Sequence, residues 1–214
     1  MHPDSNHQDK PLETAGASPE NATAAMVLLH GRGSTAQEIL QMTEQFAAEN
    51  VAYLAPQAAG NTWYPNPFTA PVESNEPVRT SGLQAVDDAI SVAEVADIPN
   101  DRVVILGFSQ GGCLASEFVA RNPDRYGGLV ALSGGLIGES IDPDEYAGDL
   151  NGTTVFLGCS DTDPHIPAER VNESATVFER LGGDVTTRLY EGMGHGINGD
   201  EIQFVSELLT ALVE

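Results

Sequence analysis

A chain of 214 residues with 32 acidic against 9 basic side chains carries a formal charge of −23, and its length fits one domain with a core large enough to fold unaided. Only one of the basic residues, Lys10, is a lysine, so little in the chain could neutralise phosphates. This excludes nucleic acid as a partner and disfavours an anionic membrane surface.

Residues 1–22 are polar and hold three prolines, the composition of a disordered tail ahead of a single domain over 23–214. "AAMVLLH" (24–30) reads as a buried strand. Residues 35–50 place Ile39, Leu40, Met42 and Phe46 at helical spacing, and "VAYLAP" (51–56) is a second strand. Residues 57–79 hold the single tryptophan and four of the 13 prolines and read as a long loop. A helix is predicted over 81–98, a strand over 102–108, and a helix over 110–122 that stops before Pro123. Strands follow at 127–133, 153–159 and 184–190, with helices at about 167–182 and 199–213 after the last two. The strands are unbroken Val, Ile and Leu runs, as expected when both faces are buried. Their alternation with helices predicts an α/β domain with a mostly parallel central sheet covered on both faces. Ligands of such sheets sit beyond the carboxyl ends of the strands.

Ser109 stands at one of those ends, in Gly107-Phe108-Ser109-Gln110-Gly111. The G-x-S-x-G pattern at a strand-to-helix junction implies a sharp, strained turn that presents the hydroxyl as a nucleophile. The glycines let backbone meet backbone with no Cβ between.

A serine needs a base. Of His2, His7, His30, His165 and His195, the first two fall in the tail, and only His195 follows the last strand, in a glycine-flanked loop. The acid should end a strand between Ser109 and His195. Asp161 and Asp163 are both available, and Asp163 is preferred because Pro164 fixes the turn after it. The backbone N–H groups of Gln110 and of Arg32, in the loop after the first strand, are the candidate oxyanion donors. Trp63, Tyr64 and Phe68 could wall a substrate pocket.

Cys113 and Cys159 read as reduced, buried small hydrophobes. The D-x-D of Asp161 and Asp163 lacks the rest of a calcium loop, and no histidine pair has zincin spacing, so no metal is expected. No apolar run nears the roughly 18 residues of a membrane span and no signal peptide is apparent, so the expected location is cytoplasmic. Acidity spread along the chain, together with the loss of lysine, points to a salty, halophile-type cytoplasm, where charge repulsion is screened.

"LLHGRGS", "GFSQGG", "SDTDPHIP" and "YEGMGHGI", in this order, resemble the carboxylesterase/phospholipase family of small α/β-hydrolases, to which the acyl-protein thioesterases belong. The resemblance runs from about residue 24 to the end. It implies the α/β-hydrolase fold, a Ser109–Asp163–His195 triad and no cofactor. The segment "APQAAGNTWYP" resembles the shorter microbial members more than the eukaryotic thioesterases. The expected function is a serine carboxylesterase acting on small-molecule esters of short to medium acyl chains. A lysophospholipase or thioesterase would use the same triad, and a non-catalytic binding protein on a hydrolase scaffold is the reading of a different class. A homodimer is one assembly open to such a chain.

Overall fold

The computed structural model describes residues 6–46 and 48–214. A seven-stranded sheet runs through it in the order β1-β3-β2-β4-β5-β6-β7. The strands are β1 (Leu12–Gly16), β2 (Ala24–Leu29), β3 (Val51–Pro56), β4 (Val103–Phe108), β5 (Gly128–Leu132), β6 (Thr154–Ser160) and β7 (Asp184–Tyr190). Every neighbouring pair is parallel except β1 with β3. The six predicted strands are the six parallel ones. Every residue of β2, β3 and β5 is buried, which is why each reads as a continuous apolar run.

Two apolar layers cover the sheet. Helices α2 (Val78–Val95), α3 (Gln110–Arg121) and α4 (Ala168–Arg180) bury one face against residues such as Leu29, Ile105, Leu129 and Leu157. Helices α1 (Ala36–Leu40) and α5 (Gly199–Val213) bury the other against Met26, Leu106, Val130 and Phe156. Helix α3 also carries a fully buried carboxylate. Glu117 is held by Arg79 of α2, by Arg121 one turn on and by the Ile137 N–H, so no bare charge is left inside.

Two expectations need correction. The tail does not stay free of the domain: residues 12–16 form β1 along β3, and His7 is buried, accepting the Ala59 N–H at 2.9 Å. A short strand with one large apolar residue, held by main-chain pairing at a sheet edge, carries almost no hydrophobic pattern. Residues 1–5, with His2, lie outside the described residues. The helix expected over 35–50 is also shorter. It begins at a Thr35–Glu38 capping box, stays α-helical only over Ala36–Leu40 and tightens to a 3₁₀ turn over Gln41–Gln45. There the Thr43 hydroxyl donates back to the Leu40 carbonyl, in competition with helix propagation.

From β2 the chain passes outward to β3 and then returns to form β4 on the other side of β2. The carboxyl ends of β2 and β4 therefore flank the point where strand order reverses, where open α/β sheets hold ligands. Gly31 and Arg32 follow one of these strands and Ser109 follows the other.

Candidate active site

Ser109 connects β4 directly to α3 with φ 55° and ψ −120°, a backbone conformation that side-chain-bearing residues rarely adopt. The glycines beside it make that turn feasible. A Cβ on Gly107 would collide with the Gly111 carbonyl, and one on Gly111 would collide with the carbonyls of Leu29 and His30. The first turn of α3 thus lies against the ends of both β4 and β2. Gln110, its first residue, has an N–H with no acceptor inside the helix.

The Ser109 hydroxyl lies 2.9 Å from His195 Nε2. His195 Nδ1 donates to Asp163 Oδ2 at 2.7 Å, and the Asp163 side chain is fully buried. Its other oxygen accepts the N–H groups of His165 (2.8 Å) and Ile166 (3.1 Å). Burial alone would push this carboxyl up, but the hydrogen bonds from His195, His165 and Ile166 outweigh it and hold the pKa below the ordinary value. Asp161 goes elsewhere: its carboxylate accepts the Gly192 N–H at 2.8 Å. The structure brings Asp163, and not Asp161, to the imidazole.

The loop that carries His195 is pinned at both ends. Ser160 accepts the Gly194 N–H at 3.0 Å, and Asn198 opens α5 with a capping box that Glu201 completes. Glu201 is fully buried and its Oε1 has no partner among the described residues, so burial raises its pKa to about 7. The unfolded carboxyl, near 4.5, releases its proton first as pH rises, so stability falls between these two values and then levels off. Glu201→Gln is expected to flatten the melting temperature between pH 5 and 8 and to raise it at pH 8; a variant Tm that still falls with pH like the wild type would refute this.

The loop after β2 is fixed by His30, a residue whose role the sequence does not announce. Its Nδ1–H donates to the Gly31 carbonyl at 2.8 Å, and its Nε2 accepts the Ala58 N–H at 3.1 Å. Burial outweighs the bond to Gly31 and lowers its pKa, which keeps the ring neutral. The Gly31 carbonyl belongs to the same peptide plane as the Arg32 N–H. Holding one aims the other the opposite way, and the Arg32 N–H has no acceptor among the described residues. With the Arg32 N–H read as an oxyanion donor, His30→Ala is expected to cut kcat by about tenfold or more, part of the 10²–10³ that losing such a donor costs. An unchanged kcat in a folded variant would remove His30 from the account.

A hollow of about 390 Å³ opens on Ser109 and His195. Tyr64 and Phe68 line it, joined by His165, Ile166 and Cys113. His165 meets the His195 ring edge-on at 4.8 Å. Trp63 does not reach the hollow. It is fully buried between the rings of His7 and His30, and its indole N–H donates to the His30 carbonyl at 2.8 Å. A buried indole must satisfy that donor, and here the partner lies inside the scaffold. Arg32 and Gln110 both use their side chains on the same wall. The guanidinium donates to the carbonyls of Tyr64, Pro65 and Asn66, while the Gln110 amide accepts the Trp63 N–H and donates to the Tyr64 carbonyl. Cys113 and Cys159 are buried and unpaired, and burial pushes their thiols up to about 11 and about 12.

A family model described as Phospholipase/Carboxylesterase matches residues 14–213. The chain belongs to the phospholipase/carboxylesterase family. Its sheet and helices are accordingly those of the α/β-hydrolase fold. Among solved structures it is similar to a phospholipase/carboxylesterase from Dyadobacter fermentans, with 40% identity, a TM-score of 0.90, and 94% of this chain and 96% of that one covered. Among curated proteins it is similar to acyl-protein thioesterase 1 of Neurospora crassa, at 25% identity over 88% of this chain and 86% of the relative. It is also 30% identical over 133 residues to acyl-protein thioesterase 1 of Kluyveromyces lactis, covering 61% of this chain and 58% of that protein. In several such curated relatives the match spans only about half of their length. No helix among the described residues is long and apolar enough to cross a membrane.

Proposed function

We propose that this family member is a serine carboxylesterase that cleaves carboxylic esters of short to medium acyl chains through an acyl-enzyme. The supporting observation is the unbroken series of hydrogen bonds from Ser109 through His195 to Asp163 at the mouth of a partly apolar hollow. In this reading His195 Nε2 takes the Ser109 proton as the oxygen attacks the ester carbonyl. The Arg32 and Gln110 N–H groups receive the oxyanion. His195 then protonates the departing alcohol, and water repeats the cycle on the acyl-enzyme. Asp163 fixes the imidazole tautomer and stabilises its charged form. Tyr64 and Phe68 contact the acyl chain.

The thioesterases among the relatives favour a second reading, the same chemistry on thioesters. A p-nitrophenyl ester series in high salt, with one matched thioester, tests both. The first reading expects the acetate-to-octanoate range to be turned over faster than the palmitate and faster than the thioester. Preference for the thioester or for long chains would overturn it.

The acidic surface supports a halophilic, cytoplasmic setting. Even if every basic side chain matched a carboxylate, an excess charge of −23 would remain, and among the described residues five of the eight arginines already pair with carboxylates. Molar salt shortens the Debye length from about 10 Å at 0.1 M to about 3 Å. The melting temperature is expected to climb steadily from 0.1 M to 2 M KCl, and equal values at both ends would contradict the reading.

A further inference from the structure

Two hollows flank the Ser109–His195 pair: one is lined by both residues, and the other by their neighbours Phe108 and Ile197, with apolar groups drawn from opposite faces of the sheet. The one lined by Tyr64, Phe68 and Ile166 draws its apolar groups from the layer under α2, α3 and α4. The other, about 610 Å³, lies between α1 with its 3₁₀ extension and the start of α5, and its apolar groups belong to the opposite layer. Ile39, Met42, Phe108 and Ile202 line it. It adjoins the reacting centre at two places. The Phe108 ring packs against the His195 imidazole, with centroids 5.0 Å apart. Gly31 lines the hollow as well, and a Cβ there would stand 3.5 Å from the Ser109 Cβ, so this edge of the hollow comes close to the nucleophile.

An ester has two halves, and the proton geometry distinguishes them. The alcohol oxygen takes its proton from His195 Nε2, so the alcohol half must lie on the His195 side of the attacked carbon. His195 is carried by the loop that leads into α5, and Ile197 on that loop also borders the larger hollow. We infer that this hollow is the alcohol subsite, taking apolar, uncharged alcohol groups, with Phe108, Met42 and Ile202 setting alcohol preference. The assignment rests on Ser109 being the nucleophile of an ester hydrolase. The charges around the hollow favour the same class of ligand. Glu38 and Glu44 line it and no basic residue does, which disfavours an anionic alcohol. Glu38 stays ionised because the Ser34 hydroxyl and the Thr35 N–H donate to it.

The test holds the acyl group constant and varies the alcohol: methyl, butyl and 2-phenylethyl butyrate. All three pass through one butyryl-enzyme, so alcohol binding shows in kcat/KM, which reports acylation. The wild type is expected to favour the 2-phenylethyl over the methyl ester by about tenfold or more, the scale of filling an apolar pocket. Ile202→Trp, and Gln41→Trp from the exposed opposite rim, should each bring that ratio down towards one while leaving the ranking of p-nitrophenyl acyl chains as in the wild type. A wild-type ratio near one overturns the alcohol subsite while ester hydrolysis stands. Filling variants that keep the wild-type ratio overturn it too. Absence of turnover on every ester removes the hydrolase reading itself, and the subsite with it.

Discussion

Ser109→Ala is expected to lower kcat on p-nitrophenyl butyrate by about 10⁴- to 10⁶-fold, the loss seen when the nucleophile of such a unit is removed. Among the described residues the hydroxyl bonds only to His195 Nε2, so its removal strands no buried scaffold group. Alanine inherits the φ of 55° without added bulk, and the glycine contacts that set the turn remain. The variant should therefore melt within a few degrees of the wild type. Turnover above about one per cent of the wild-type rate in a purified, folded variant would mean that another group attacks the ester.

Asp163→Asn is expected to cost about 10⁴-fold in kcat with little change in structure, because an amide presented to Nδ1 no longer enforces the productive imidazole tautomer. Asp161→Asn, two residues away, is the contrasting control. An amide oxygen can still accept the Gly192 N–H, so activity should stay within a few-fold of the wild type. The ionisation of Asp163 adds a stability signature. Its pKa is held below the ordinary 3.8, so the stabilisation is complete above that value and disappears as pH falls through the lower folded pKa. Asp163→Asn should therefore weaken the acid-side loss of stability. If the Asp161 variant showed the larger kinetic loss, the acid assignment would be reversed.

The parts of the fold that were legible are those buried on both faces. β2, β4, β5 and β6 each lie inside the sheet between parallel neighbours and two helical layers, so their apolar runs are continuous and their ends are sharp. Ser109 was legible for a related reason: collision with the Leu29 and Gly111 carbonyls forces glycine at 111 and 107, and this leaves a mark in the sequence. His195 and Asp163 could be ordered along the chain because each follows a strand of the same sheet. What was hidden depends on main-chain partners. β1 is held by β3 backbone, and His30 acts through the Gly31 carbonyl and the Ala58 N–H, neither of which has a residue signature. Trp63 shows the converse limit. An aromatic residue in a loop beside the site can serve the scaffold as readily as the substrate, and only its indole partner decides.

Mapping a fluorophosphonate adduct by mass spectrometry on the active protein tests the central claim most directly. The adduct is expected on Ser109 at one equivalent, formed at a rate that collapses in His195→Ala, with activity lost in proportion to labelling. An adduct on any other residue, or full inactivation with Ser109 unmodified, would contradict the account.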